Sequence, residues 1–238
     1  MDPSFVPSPD KIPVNWLWFH VLLLLTFLIH IILVNFILGG SLITLWDALK
    51  GKTIKKHSKS IPTLIALTIN FGVPPLLFVQ VLYGQFFYTS SIIIAVPWIL
   101  VIPILILAYY GAYIFVEKVE SKKWLSQTSL IISSAILLII AFIYVNNITL
   151  SMTPEKFSNY FVDTSGWNLN LSEPTLIPRY LHFITASIAI AGLGKAAYNK
   201  FSGKHKKEEK QKAIHNGLRI FAFATMAQVV FGILFWLT

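Results

Sequence analysis

The chain has 238 residues, of which 55% are hydrophobic, 14% aromatic and only 12% charged, and its mean hydropathy is +0.69. A soluble domain carries roughly 25% charge, so lipid is the expected solvent. There is no cysteine, which excludes disulfides, thiolate metal sites and covalent haem attachment through a Cys-x-x-Cys-His motif.

A bilayer core of about 30 Å takes about 20 apolar residues per helix. Six stretches reach that length: residues 16–46, 62–88, 92–116, 124–146, 177–198 and 217–237. They predict an all-α membrane protein, a bundle of about six transmembrane helices forming one domain over residues 1–238, with no internal repeat. The first stretch is too long for a secretory signal, follows an acidic, proline-bearing lead and lacks a small-residue cleavage site, so it is expected to remain in the chain.

The net charge of +9 is distributed unevenly. Lys50, Lys52, Lys55, Lys56 and Lys59 follow the first span, and Lys118, Lys122 and Lys123 follow the third. Lys195, Lys200, Lys204, Lys206, Lys207, Lys210, Lys212 and Arg219 fill or flank the loop between the last two. By the positive-inside rule these loops are cytoplasmic, and the N-terminus and the hydrophilic loop after Asn147 face outwards. That asymmetry explains the charge without a nucleic-acid partner and suits a multi-pass protein of a bacterial or archaeal cytoplasmic (inner) membrane.

In chain order, the first span carries His20, His30 and the pair Gly39-Gly40. The second begins at Pro62, holds Pro74 and Pro75 mid-span and ends in a polar group, Gln80, Tyr83 and Gln85. The mid-span prolines each remove a backbone hydrogen bond and predict a kink. The short link Thr89-Ser90-Ser91 then makes the third span, with Pro97 and Pro103, an antiparallel neighbour in a kinked hairpin. In the outer loop, Thr153-Pro154-Glu155 is a helix-start pattern that predicts a short extramembrane helix reaching Val162. The fifth span carries Arg179, His182, Gly192 and Gly194, its glycines and those of the first span being suited to close helix packing. Residues 201–212 are expected to form a polar, charged and mobile loop.

Ionisable groups inside a membrane are costly and therefore point to function. All ten acidic residues fall in loops or at span ends, which argues against a carboxylate-based proton or cation pathway. What remains inside the spans is histidine: His20, His30 and His182. Neutral imidazole is a strong haem-iron ligand, and b-type haem in helical bundles is held by such side chains. His20 and His30 are ten residues apart, hence roughly 80° apart around the helix and about 15 Å along it, and cannot bind one iron. Taking Trp46 as the interfacial anchor puts His30 at the depth of His182, whereas taking Trp16 puts His20 there. His57, His205 and His215 belong to the inner loops or their edge and read as solvated. Gln80, Tyr83 and Gln85, with Arg179, are the candidate quinone contacts, although the two glutamines and the tyrosine serve equally to satisfy carbonyls freed by Pro74 and Pro75.

Several stretches resemble the N-terminal part of subunit I of cytochrome bd quinol oxidases. His30-Ile-Ile-Leu-Val-Asn-Phe-Ile-Leu-Gly39 is similar to that family's first-helix segment, where a haem-ligating histidine precedes a Leu-Gly pair. Ile69-Asn70-Phe71-Gly72-Val73 resembles the start of its second helix, Asn146 to Pro154 the close of its fourth, and Pro178-Arg179-Tyr180-Leu181-His182-Phe183 the opening of its fifth. The resemblance implies that His30 and His182 are haem ligands towards the outer face. Two departures stand against it: the family's later helices, with their further ligands and quinol-binding loop, have no counterpart here, and residues 92–116 lack the family's acidic proton-delivery residues.

The expected function is therefore a b-type haem electron-transfer subunit with one or two haems. It would link the quinone pool to an outer-face redox partner, such as a multihaem c-type cytochrome, within a respiratory complex. Quinone or quinol is the second expected ligand, and oxygen reduction is not expected. The alternative is a haem-free membrane anchor or assembly subunit whose histidines are merely packed.

Overall fold

The computed structural model describes residues 6, 8, 9, 11–51, 60–201 and 207–238, the last segment without the side chain of Lys207. Lys52, Lys55, Lys56, Lys59, His57, Lys204, His205 and Lys206 lie outside the described residues. Among those described there is no strand, and six helices are long and apolar enough to cross a membrane. These are α1 (Trp16–Leu49), α2 (Ile61–Ile93), α3 (Ala95–Lys118), α4 (Lys123–Ser151), α6 (Leu176–Phe201) and α7 (Lys207–Leu237). Between α4 and α6, a 3-10 turn (Pro154–Lys156) and the one-turn α5 (Asn159–Val162) occupy the place of the expected surface helix.

Successive long helices alternate in direction. At one end, Lys195 of α6 pairs with Asp47 of α1 at 2.9 Å and Gln127 of α4 donates to the Ala48 carbonyl at 3.1 Å. At the other, Arg179 of α6 lies against Met152 after α4 and Phe235 of α7. Exposed tryptophans mark both ends, Trp16, Trp18 and Trp236 at one and Trp46 and Trp124 at the other. Aromatic belts of this kind sit at the two membrane interfaces. The 30 residues from Trp16 to Trp46 rise about 45 Å, the full width of a bilayer with its headgroups. His30 lies midway between Trp16 and Trp46 along α1, whereas Trp236 stands only four residues beyond Gly232, so the first turns of α1 rise beyond the Trp236 end of α7.

In lipid no hydrophobic force drives helices together, so close contact relies on small residues and interhelical hydrogen bonds. Helix α4 shows the consequence: it buries Ser126, Ser129, Ser133, Ser134, Asn146, Asn147 and Thr149 and exposes Ile131, Ile132 and Ile139. Its serines lie on a seam of Ala108, Gly111 and Ala112 in α3, with Ser133 donating to the Ala108 carbonyl at 2.8 Å and Ser126 to that of Phe115 at 2.9 Å. Gly39 of α1 lies on the Ser187 backbone of α6, Gly192 on Gly217 of α7, and Gly194 under the Phe36 ring, but Gly40 faces nothing within 4 Å. Of the four glycines expected to permit packing, Gly40 is the exception.

The hairpin of the second and third spans is not built as expected. Thr89, Ser90 and Ser91 belong to α2, and the turn is the single residue Ile94 (φ −105°, ψ 35°). Pro74 and Pro75 stay helical, and the break falls at Tyr83 (φ −131°, ψ 25°). Helix α2 packs mainly on α1 and α3 mainly on α4, so the two are joined more than packed. The expected mobile loop is also shorter, because α7 begins at Lys207, ten residues before residue 217.

Candidate functional site

His30 projects from α1 onto α2. Its Nδ1 lies 3.1 Å from the carbonyl oxygen of Thr68, and among the described residues Nε2 has no hydrogen-bond partner. The ring covers Gly72, where an added Cβ would stand 2.7 Å from the imidazole Cε1. His182 projects from α6 onto α7 in the same manner. Its Nδ1 lies 3.1 Å from the carbonyl oxygen of Gln228, and the ring covers Gly232 at 3.2 Å. A carbonyl accepts but cannot donate, so in each case Nδ1 carries the proton and the lone pair resides on Nε2. On His182 the Gln228 Nε2 amide reaches that lone pair at 3.2 Å.

The two seats are the same structure built twice. His182 and Ser187 follow His30 and Asn35 by 152 residues each, and Phe231-Gly232 follows Phe71-Gly72 by 160. In both, the carbonyl that takes the imidazole proton stands four residues before the glycine. Ser187 donates to Asn35 Oδ1 at 2.7 Å, both side chains being buried where α1 and α6 run parallel. Each histidine lies five residues before that contact, so the two stand level along the helix pair. Outside the histidine, the contact residue and the Phe-Gly pair, the two helix pairs differ in sequence.

His30 and His182 do not face one another. Gly39 packs on the Ser187 backbone, five residues beyond His182, and the two imidazoles lie on different neighbours, His30 on α2 and His182 on α7. His20 stands apart, half-exposed in the first turns of α1, with the Trp16 ring edge-on at 5.8 Å. The candidate quinone residues are not assembled either. Tyr83 is 42% exposed at the break in α2, and neither Gln80 nor Gln85 makes a side-chain hydrogen bond among the described residues. The carbonyls freed by the prolines are thus not satisfied by these glutamines. Arg179 lies instead against α4 and α7.

Among the described residues no group of three or more His, Asp or Glu side chains converges that could hold a metal ion. A shallow depression of about 410 Å³, lined by Gln211, Lys212, His215, Asn216 and Arg219 on the first turns of α7, is far along that helix from Gln228. Above α4, the loop is fastened by Asn146 Oδ1 accepting from the Asn170 amide at 3.1 Å. Lys156 bonds Asn170 Oδ1 at 2.7 Å and the Glu173 carboxylate at 3.1 Å. Burial raises the Glu173 carboxyl, but Lys156 and Thr175 outweigh it and hold the group below the usual carboxylate range.

Compared with protein-family models, curated proteins and solved structures, the chain matches none.

Proposed function

We propose that the chain is a b-type haem electron-transfer subunit, working between the membrane quinone pool and a redox protein on the outer face of the cytoplasmic membrane. The observation that carries this reading is the paired imidazole seat. An iron-binding histidine characteristically donates its second ring nitrogen to a carbonyl or carboxylate, which fixes the tautomer and raises ligand basicity. His30 and His182 both do so, and the Nε2 of His30 is unengaged among the described residues. Helical bundles hold b-type haem through such side chains, and Nε2 of each residue is the atom that would hold iron. The bound group would supply a one-electron carrier; the protein supplies the ligand orientation and an apolar surround.

The resemblance to subunit I of cytochrome bd quinol oxidases supports the same pair of histidines. The lack of a carboxylate within α3 before Glu117 fits electron transfer better than oxygen reduction, which consumes protons. Reduced-minus-oxidised spectra of the complex purified with wild-type, His30→Leu and His182→Leu chains test the proposal. The expected result is a b-type band that each substitution diminishes; a band unchanged by both overturns it.

One contact favours the alternative of a haem-free anchor subunit: the Gln228 amide occupies the lone pair of His182. If His182 is only packed, Gln228→Ala leaves its part-buried Nε2 unpartnered and destabilises a chain that shows no b-type band. If it is a ligand, the amide must yield to iron, and Gln228→Ala leaves the b-type band in place.

A further inference from the structure

Arginine inside a membrane span is expensive and ordinarily paired. Arg179 stands in the first turn of α6 with no ion pair among the described residues. Its Nη1 has only the thioether of Met152 at 3.6 Å, its Cζ lies 4.6 Å over the Phe235 ring, and its Nε is buried without a hydrogen-bond partner. Glu173 lies near enough to attract the guanidinium but forms no ion pair with it, its carboxylate being engaged by Lys156 at 3.1 Å and by Thr175 at 3.1 Å. The guanidinium is therefore positioned by packing and left with unused donors.

Its location supplies the partner. Arg179 precedes His182 by three residues and Phe235 follows Gly232 by three, and residues three apart share a helix face. The Arg179–Phe235 layer thus sits about 4.5 Å beyond the His182–Gly232 layer, towards the end of the bundle bearing Trp236. A planar fork of N–H donors matches a carboxylate in a two-bond pairing. We propose that Arg179 anchors an anionic carboxylate of the ligand held at His182, namely a haem propionate, and does not serve as a quinone contact. The proposal rests on the haem reading above. The His30 seat has no counterpart, since Phe27 occupies the corresponding position, so the two seats differ in their affinity for a carboxylate.

The test is titration of the haem-depleted full chain, in nanodiscs, with haemin and with haemin dimethyl ester, whose carboxylates are masked. The wild type is expected to hold its tighter-bound haemin about tenfold more strongly than the ester, as loss of a charge-assisted pair implies. Arg179→Leu is expected to lose that preference while still binding the ester, and Arg179→Lys to recover part of it. Equal affinity for both compounds in the wild type overturns the anchor and leaves the haem reading standing. Arg179→Leu weakening both compounds alike shows a packing role and also overturns it. Binding of neither compound by the wild type overturns the haem reading and the anchor together. A phosphatidylglycerol retained by the wild type but not by Arg179→Leu in native mass spectrometry, without ester discrimination, would assign the guanidinium to a lipid phosphate instead.

Discussion

Gly72 is the residue on which the His30 seat depends most directly, because any side chain there meets the imidazole. A methyl group at 2.7 Å from Cε1 forces the ring to move by several tenths of an ångström, and a branched side chain closes the seat. Gly72→Val is accordingly expected to displace His30 and to remove its share of the b-type absorbance, with Gly72→Ala intermediate. Unchanged spectra in both variants would show that the glycine is not a seat. In the loop after α4, Glu173 is held below its ordinary carboxyl range by Lys156 and Thr175. A depressed folded-state value means that the unfolded chain binds more protons. The contribution is thus complete above the ordinary value of about 4.3 and is lost as pH falls through the lower folded one. The pair is partly solvated, so it is worth no more than about 1 kcal/mol. Thermal unfolding in detergent should show the wild type exceeding Glu173→Gln at pH 7 by that small margin, with the gap closing on acidification; a gap that widens contradicts the assignment. The histidines themselves were legible as a residue type out of place in an apolar span. Their seats were not, because the acceptor is a backbone carbonyl on another helix and leaves no sequence mark.

At the scale of the element, the apolar runs located the six long helices but misplaced several ends, each for an identifiable reason. Thr89, Ser90 and Ser91 read as a link, yet their hydroxyls bond back to the carbonyls of Gln85 and Phe87. A polar side chain satisfied within its own helix need not end it. Asn146 and Asn147 read as the close of the fourth span, but α4 runs on to Ser151 with both amides buried, one on Asn170 and one on Ser91 at 3.0 Å. The start of α7 was missed because hydropathy is blind to Lys, Glu, Gln and Ala, which are good helix formers, and because Glu208 and Glu209 favour a helix start. The inside-out character of α4 was equally hidden, since serines spaced along a span can face lipid or a neighbour. Gly111 tests that packing: its added Cβ would collide with Ser133 Oγ. Gly111→Leu is expected to cost about 1–3 kcal/mol, seen as a lower melting temperature of the detergent-solubilised chain, whereas Gly40→Leu, with open space around it, should cost far less. Equal effects would remove the α3–α4 seam from the account.

For the whole molecule, alternation of six spans fixes that the ends of α1, α3 and α6 nearest their N-termini share one side, and the lysine distribution predicts that this side is outside. The absence of cysteine makes the prediction simple to check. In intact cells a membrane-impermeant maleimide should label Ser165→Cys and spare Ser121→Cys, both exposed in their loops; the reverse pattern would invert the topology. The repeated seat bears on stoichiometry. The two imidazoles lie on different neighbours, α2 and α7, so the proposed reading assigns each seat its own ligand. The measurement that tests the central claim most directly is the pyridine haemochrome content per chain of the purified protein, compared among the wild type, His30→Leu, His182→Leu and the double variant. The account predicts two b-type haems per chain, one lost with each single substitution and none left in the double variant. A haem content that neither substitution changes, or no haem in the wild type, would contradict it.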